Sequence, residues 1–370
     1  MDLPRSRRCV VAFAAVLAVL PLAPAAAQGA DPTRGVSATV DADFSRWLMD
    51  FRARAAGEGI SEATLAIALD GLSYNTRVVA LDRSQPDDSR PTTVPKFSNY
   101  LERRLTPDRI APGRRLVTDL DATLAAVEAR FGVPRAVLVG IWGMETSYGA
   151  VQGNFDVIRA LASLAFDGRR ESLFGAELIA ALRMVDSGRM PRERLVGSWA
   201  GGMGNPQFLP SSYLAHAIDF DGDGKADIWQ SRADTAASIA NYLAKAGWQA
   251  GGDWAMKVFV PPQLERDRVR NLVEPGACRR VLGKHSRWIP VAEWRALGLV
   301  PLDGRAWPAD DVLASLVEPD GEGQGGFLTY GNYRALLDYN CSNFYALSVG
   351  LLADAVVRPA AADGGVRVDP

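Results

Sequence analysis

Between Val133 and Tyr148 the chain reads VPRAVLVGIWGMETSY, an apolar run that delivers one carboxyl group, Glu145, toward a turn bounded by Gly149. Pro134 suits the first turn of a helix, where its missing N–H goes unnoticed, and Val137, Leu138, Ile141 and Trp142 recur at helical spacing. Glu145 continues that stripe, four residues after Ile141 and three after Trp142, so it is predicted to point inward rather than into water. Apolar surroundings and the negative end of the helix dipole both disfavour the ionised carboxylate. Glu145 is therefore a candidate general acid, protonated near neutral pH. The competing reading of the position alone is a partly buried Glu held by an Arg or a backbone amide.

The same periodicity organises much of the chain. Phe44 to Leu72 reads as helix, with Leu48, Phe51, Ala55 and Ile60 apolar, and a Pro-punctuated loop follows from Asp82 to Pro95. Val117, Leu120, Leu124, Val127 and Phe131 step by three and four toward Gly132, predicting an amphipathic helix that stops there. Phe155 to Phe166, Leu173 to Met184 and Ala236 to Trp248 are predicted helices as well, the last stopped at Gly247. From Gly251 the texture changes to short apolar runs between Pro and Gly, with β character. The fold class is thus mainly α (α+β): residues 41–250 as a helical catalytic region, 251–338 as a small mixed or β satellite, and 339–357 as a helix returning to the catalytic domain. Residues 28–40 and 358–370 are read as flexible ends. No internal repeat is visible.

Arg5, Arg7 and Arg8, an apolar core from Cys9 to Leu22, and Ala25-Ala26-Ala27 before Gln28 make residues 1–27 a secretory signal peptide. The core is too short to span a membrane, and no lipid-attachment Cys follows it, so the mature chain is expected to be exported without stable membrane insertion, in the periplasm. Loss of Arg5, Arg7, Arg8 and Asp2 takes the formal net charge from −2 to −4. That balance excludes nucleic acid as a partner. The mature chain keeps two cysteines, Cys278 and Cys341, expected as a disulfide in an oxidising compartment, with two buried thiols as the alternative. His216 and His285 are the only histidines and lie far apart, which argues against a zinc site or a Ser-His-Asp triad.

Two further segments carry chemistry. GSWAGGMGNPQFLPSSY, ending at Tyr213, holds too many glycines for a helix interior, so its backbone is predicted to approach something closely. Asp219-Phe-Asp221-Gly-Asp223-Gly224-Lys225-Ala-Asp227-Ile228 places oxygen ligands at positions one, three, five and nine, Gly at six and an apolar residue at eight, the Ca²⁺-loop spacing of an EF-hand. Lys225 would contribute only its backbone carbonyl. Position twelve departs from the pattern, being Gln230 where Glu is usual. An Asx-rich surface turn is the alternative.

GVPRAVLVGIWGMETSYG and SWAGGMGNPQFLPSSY resemble the lytic murein transglycosylase B family, whose catalytic Glu lies in a G-(V/I/M)-E-T-x-(W/Y)-G segment; matching segments run from about Phe97 to Leu352. The resemblance implies a lysozyme-like catalytic domain with Glu145 as its acid. It implies that Ser198 and Gln207 line the cleft, Ser198 hydrogen-bonding the reacting sugar, although helix capping would also explain that serine. Tyr100, Tyr242, Tyr339, Asn340 and Tyr345 match further cleft residues, against ordinary packing. Arg169 and Arg170 match an Arg pair near the substrate, suited to a lactyl or stem-peptide carboxylate, against a solvated turn; the chain has one residue fewer before the pair than the family. Asp234 is implied as the remaining metal ligand, for a structural Ca²⁺ (or Na⁺), with no cofactor for catalysis.

Ordinary glycosidases need a second carboxylate beside the acid, and none falls within the matched segments; Glu171 and Glu177 read as helix-face residues. The resemblance therefore implies a lytic transglycosylase acting on peptidoglycan glycan strands, cleaving the β-1,4 bond between N-acetylmuramic acid and N-acetylglucosamine to give 1,6-anhydro products. A lysozyme-like hydrolase and a non-catalytic peptidoglycan-binding scaffold are the alternatives. A cell-wall synthesis complex is a plausible partner for such an enzyme, though no sequence feature shows one.

Overall fold

A computed structural model of the chain describes residues 33–85 and 96–358. The expected signal peptide, the distal part of the Asp82–Pro95 loop and residues 359–370 of the expected tail lie outside the described residues. The described chain divides into two compact units, one formed by residues 96–150 and 232–358, the other by 33–85 and 151–231. The expected catalytic region 41–250 is thus shared between the two units, and the satellite strands fall in the first.

In the first unit, the helix Arg135–Thr146 is buried at nearly every position from Val137 to Thr146. Pro134 caps it from outside rather than entering its first turn. It packs with the helices Pro107–Asp119 and Asn343–Val357, while Asp121–Phe131 packs with Arg232–Lys245. The single helix expected up to Gly132 is two, separated at Leu120, whose φ of −111° and ψ of 20° break the helical path. Gly132 does end the second one, at φ +70°. The helix expected at 339–357 begins at Asn343, because Tyr339 closes a separate helix, Gly331–Tyr339, and Ser342 caps the next by accepting from the Tyr345 N–H.

The β character beyond Gly251 is a five-stranded antiparallel sheet, in spatial order Ile289–Pro290, Leu313–Val317, Gly326–Thr329, Ala255–Phe259 and Val300–Pro301. Met256, Val258, Ile289, Trp294, Leu316 and Leu328 make its core. The buried indole of Trp294 donates to the Ala314 carbonyl at 3.1 Å, so its polar end is satisfied.

In the second unit, the helix expected over Phe44–Leu72 is two, Thr33–Gly57 and Glu62–Leu69, and the first reaches back into the 28–40 segment read as loose. Gly59 at φ +89° turns the chain, and Ser61 starts the second helix by accepting from the Thr64 N–H at 3.2 Å. Val157–Asp167 packs against Glu171–Asp186, and Phe44 meets Phe166 edge-on at 5.4 Å. The predicted helix start at Phe155 gives way to a two-residue strand, Phe155–Asp156, paired with Val196–Gly197; Asp156 then caps the helix.

Candidate active site

Gly140 lets the helices Arg135–Thr146 and Asn343–Val357 touch backbone to backbone. A Cβ at that position would lie 2.8 Å from the Val349 carbonyl oxygen and 3.3 Å from the Ala353 Cβ. The two helices run antiparallel past this point, which carries Glu145 on one toward Tyr345 on the other. The Tyr345 hydroxyl donates to Glu145 Oε1 at 2.6 Å.

Glu145 is half-buried, and burial raises its carboxyl from the ordinary 4.5 to about 7. The Tyr345 hydrogen bond and the Arg104 charge oppose that rise without cancelling it. No other carboxyl group among the described residues contributes to it. Burial likewise holds the Tyr345 phenol well above its ordinary range, the negative charge of Glu145 adding to it, so Tyr345 remains a donor. Tyr339 stacks on Tyr345 at 6.5 Å, and Tyr242 leans on Tyr339 at 4.7 Å while donating to the Asp338 carbonyl at 2.9 Å. Asn340 is buried, and its carbonyl accepts the Ser342 N–H at 2.7 Å. Tyr100 lies 5.5 Å from Phe344, the neighbour of Tyr345. Its helix, Phe97–Arg104, is capped by Asp320, whose carboxylate accepts from the Phe97 and Ser98 N–H groups.

The turn after Glu145 is strained. Ser147, Tyr148 and Gly149 follow one another at φ +49°, +63° and +92°, and the left-handed region costs non-glycine residues on the order of 1–3 kcal/mol each. Tyr148 stabilises this path by folding back over Gly143, where a Cβ would lie 2.6 Å from the ring, and over Gly113. Its hydroxyl donates to the Arg109 carbonyl at 2.9 Å. Arg109 in turn donates to Ser147 Oγ at 3.3 Å and to the Arg104 carbonyl at 2.9 Å. Tyr148, Arg109, Arg104, Gly113 and Gly140 were not legible as site residues; only Tyr148, inside the S-Y-G turn that follows Glu145 and Thr146, carried a local signal.

A disulfide joins Cys278 to Cys341, with Cα atoms 5.7 Å apart. Cys341 directly precedes Ser342, the cap of the helix that presents Tyr345. The bond thus ties the satellite segment to the start of that helix.

Ser198, Gln207, Arg169 and Arg170 belong to the second unit. The Ser198 N–H donates to the Gly202 carbonyl at 2.7 Å, and its hydroxyl accepts the Gly202 N–H at 2.9 Å. Gln207, at φ +51°, donates through Nε2 to the carbonyls of Gly204 and Gln152, at 2.8 and 3.1 Å. The close approach expected of the glycine-rich segment is internal here. A Cβ at Gly202 would sit 3.0 Å from both Ser198 Oγ and Gln207 Oε1, and one at Gly204 would meet the Ile228 carbonyl at 2.7 Å. Both arginines converge on Asp82, a 1 % exposed carboxylate that sequence reading passed over as the edge of a loop. Arg170 also lies over Phe174 at 4.7 Å. The solvated-turn alternative for the pair is therefore replaced by a buried anchor. Glu177, read as a helix-face residue, is buried instead and accepts from the Ser211 N–H and hydroxyl at 2.9 and 2.7 Å, capping the helix Pro210–His216.

The carboxylate oxygens of Asp219, Asp221 and Asp223 lie within 4.8 Å of one another, all three exposed. Asp219 accepts from the N–H groups of Gly222 and Gly224, both at positive φ, which shapes the loop from within. Asp223 accepts the Lys225 N–H at 2.8 Å. Three hard oxygen donors gathered this closely fit a Ca²⁺-type ion. Asp227, at position nine, instead accepts from the N–H groups of Trp229 and Gln230 and pairs with Arg194 at 3.2 Å. Asp234 is fully buried in the helix Arg232–Lys245, which falls in the other unit.

A helical frame with one half-buried, protonatable carboxyl held by a tyrosine defines an acid-catalyst class of site, and comparison with known proteins identifies which. The transglycosylase SLT domain model matches residues 43–354. The chain is 32% identical to membrane-bound lytic murein transglycosylase B of Escherichia coli over 281 residues, 73% of this chain and 72% of that protein. The crystal structure of SltB3 from Pseudomonas aeruginosa in complex with NAG-anhNAM-pentapeptide superposes with a TM-score of 0.74 at 39% identity, covering 85% of this chain and 79% of that one. The Escherichia coli lytic transglycosylase SLT35 in complex with calcium superposes at 0.67 and 27% identity, covering 89% and 98%. The chain belongs to the transglycosylase SLT family and is a lytic transglycosylase, an enzyme with a lysozyme-like fold acting on peptidoglycan. No helix of the described residues is long and apolar enough to cross a membrane.

Proposed function

We propose that Glu145 alone carries both proton transfers of this reaction. The observation that supports this most directly is its carboxyl, raised to about 7 by burial and held by Tyr345 at 2.6 Å, with no second carboxyl among the described residues acting on it. Protonated, Glu145 gives its proton to the oxygen of the β-1,4 bond between N-acetylmuramic acid and N-acetylglucosamine as the bond from the anomeric carbon to that oxygen breaks. The acetamido oxygen of the muramoyl residue closes on the anomeric carbon and holds its positive charge. Glu145, now a carboxylate, takes the proton of the 6-hydroxyl, whose oxygen displaces the acetamido group and forms the 1,6-anhydro ring. No water is consumed, and Glu145 ends as it began, so one residue serves as acid and then base. The NAG-anhNAM-pentapeptide bound by the Pseudomonas aeruginosa relative is a product of this kind.

In this reading Tyr345 positions the carboxyl and steadies the anion, while Tyr339, Tyr242, Asn340 and Tyr100 shape the sugar-binding surface of their unit. Ser198 and Gln207 bind sugar, and Arg169 and Arg170 bind the substrate's peptide or lactyl group while anchored on Asp82. Asp219, Asp221, Asp223 and the Lys225 carbonyl would hold a structural Ca²⁺, as the calcium complex of the Escherichia coli relative suggests by analogy. The basic start, apolar core and Ala-Ala-Ala of residues 1–27 support export to the periplasm.

The test is mass spectrometry of products after wild-type and Glu145→Gln protein are each incubated with purified peptidoglycan. Anhydromuropeptides, one water lighter than hydrolytic products, are expected from wild type, with the variant slower by on the order of 10²–10⁴-fold. Reducing-end products from wild type would mean that water is the acceptor and that a second group activates it.

A further inference from the structure

We propose that Arg104 is a specificity-determining contact of this site, its guanidinium receiving a carboxylate carried by the muramoyl unit. The inference rests on the reading of Glu145 given above. Arg104 ends the helix Phe97–Arg104, and its carbonyl is tied through Arg109 to Ser147, two residues beyond Glu145. That tether fixes the arginine beside the acid, close enough for its charge to act on the Glu145 carboxyl. Its guanidinium lies over the Tyr100 ring, 5.4 Å from the centroid, and is half-exposed. Among the described residues no carboxylate stands within ion-pair distance of it, unlike Arg135, which meets Glu128 at 2.9 Å, or Arg266, which meets Glu318 at the same distance.

Arg109 makes the contrast clear. Its guanidinium is consumed by the Arg104 carbonyl and Ser147 Oγ, and it serves the frame. Arg104 contributes its carbonyl to that frame, and its guanidinium touches only Tyr100, by ring contact and a hydrogen bond to the phenol, with no carboxylate among the described residues paired to it. Contact with Tyr100, through its ring and its phenol oxygen, pre-orients the guanidinium while using few of its five N–H groups, and a forked pair of the remaining ones matches a carboxylate. A cation left unpaired beside a general acid also carries a cost, since it favours the ionised form of that acid. A substrate carboxylate that neutralises Arg104 removes that effect when the glycan binds, so recognition and protonation of Glu145 support each other. Peptidoglycan offers this chemistry from two sources: the lactyl carboxylate of a muramoyl residue without its peptide, and the carboxylates of the stem peptide.

The experiment measures kcat and KM of full-length wild type, Arg104→Gln and Arg104→Lys on three substrates. These are peptide-bearing glycan, the same glycan with stem peptides removed enzymatically, and the peptide-free glycan with its lactyl carboxyl converted to an amide. Arg104→Gln is expected to raise KM about tenfold on a carboxylate-bearing substrate, with Arg104→Lys in between and no difference from wild type on the amidated glycan. A KM rise on the peptide-free glycan assigns the lactyl carboxylate, and one confined to the peptide-bearing glycan assigns the stem peptide. Equal loss on the amidated glycan, or no change on any substrate, overturns the proposal; the former would make Arg104 a support for Tyr100 only. Wild type without activity on all three overturns the transglycosylase mechanism and this proposal with it.

Discussion

Tyr345 donates a 2.6 Å hydrogen bond to Oε1 of Glu145, so the tyrosine stabilises the ionised form of a carboxyl that burial drives toward the protonated form. The proposed reaction needs the protonated form first, and activity should fall as pH rises through about 7. Tyr345→Phe removes the force that opposes burial, so the Glu145 carboxyl should rise further. The alkaline limb of kcat/KM against pH is then expected to move up by about one unit, the worth of one hydrogen bond to a charged group. A limb that stays in place would mean that a group other than Glu145 sets it.

Gly140 is the contact that allows this pairing, because the Val349 carbonyl occupies the space a side chain would need. Gly140→Val must push the two helices apart against backbone rather than against a side chain that could swing away. Overpacking of this kind costs about 1–3 kcal/mol, and here it also separates Glu145 from Tyr345. We expect a lowered urea midpoint together with a shift of the alkaline limb in the direction of Tyr345→Phe. Lost stability with an unchanged pH profile would show that the helix contact does not set the geometry of the acid.

How far the sequence reached follows from what each feature depends on. The inward aim of Glu145 depends on local periodicity, and the helix Arg135–Thr146 carries it as expected. The Gly132 stop, the gathering of Asp219, Asp221 and Asp223, and the Cys278–Cys341 pair were legible for the same reason: each has a local or counting signature. Helix breaks at Leu120 and between Gly57 and Glu62 were missed because apolar spacing continued across them, although Gly59 and Ser61 announced the second. Asp82, Glu177 and Arg109 were not legible at all. Their partners lie 87, 34 and 38 residues away, in Arg169, Ser211 and Ser147, and no local pattern encodes such pairings.

Asp82 holds the guanidinium groups of both Arg169 and Arg170 while itself only 1 % exposed. Asp82→Asn leaves the two cations without their anion, but both retain access to water, with side-chain exposures of 30% and 23%. The loss should therefore fall below the cost of stranding a fully buried charge, at about 1–3 kcal/mol in urea unfolding. Under the proposed role of Arg169 and Arg170 in substrate binding, their release should also raise KM. A variant with wild-type stability would show that Asp82 is not their anchor.

The acidic loop makes the last prediction. Three carboxylates within 4.8 Å repel one another unless a cation sits among them, so a bound ion should contribute to stability and not merely accompany it. The residues that follow the loop hold the glycine-rich segment: Ile228 accepts the Asn205 N–H at 2.8 Å, and the Trp229 indole donates to the Val196 carbonyl at 3.0 Å. Gln152 bridges Asn205 and the Trp229 carbonyl, at 2.8 and 2.9 Å. Loosening of the loop should thus reach Ser198 and Gln207 through these bonds. Calcium at about 100 times its dissociation constant is expected to add about 2–3 kcal/mol, and a chelator to lower Tm by several degrees. In hydrogen exchange, the amides of Asn205 and Trp229 should exchange faster after chelation, and Asp221→Asn should reproduce both effects with calcium present. An unchanged Tm and unchanged exchange on chelation would leave the loop an Asx-rich turn with no resident ion.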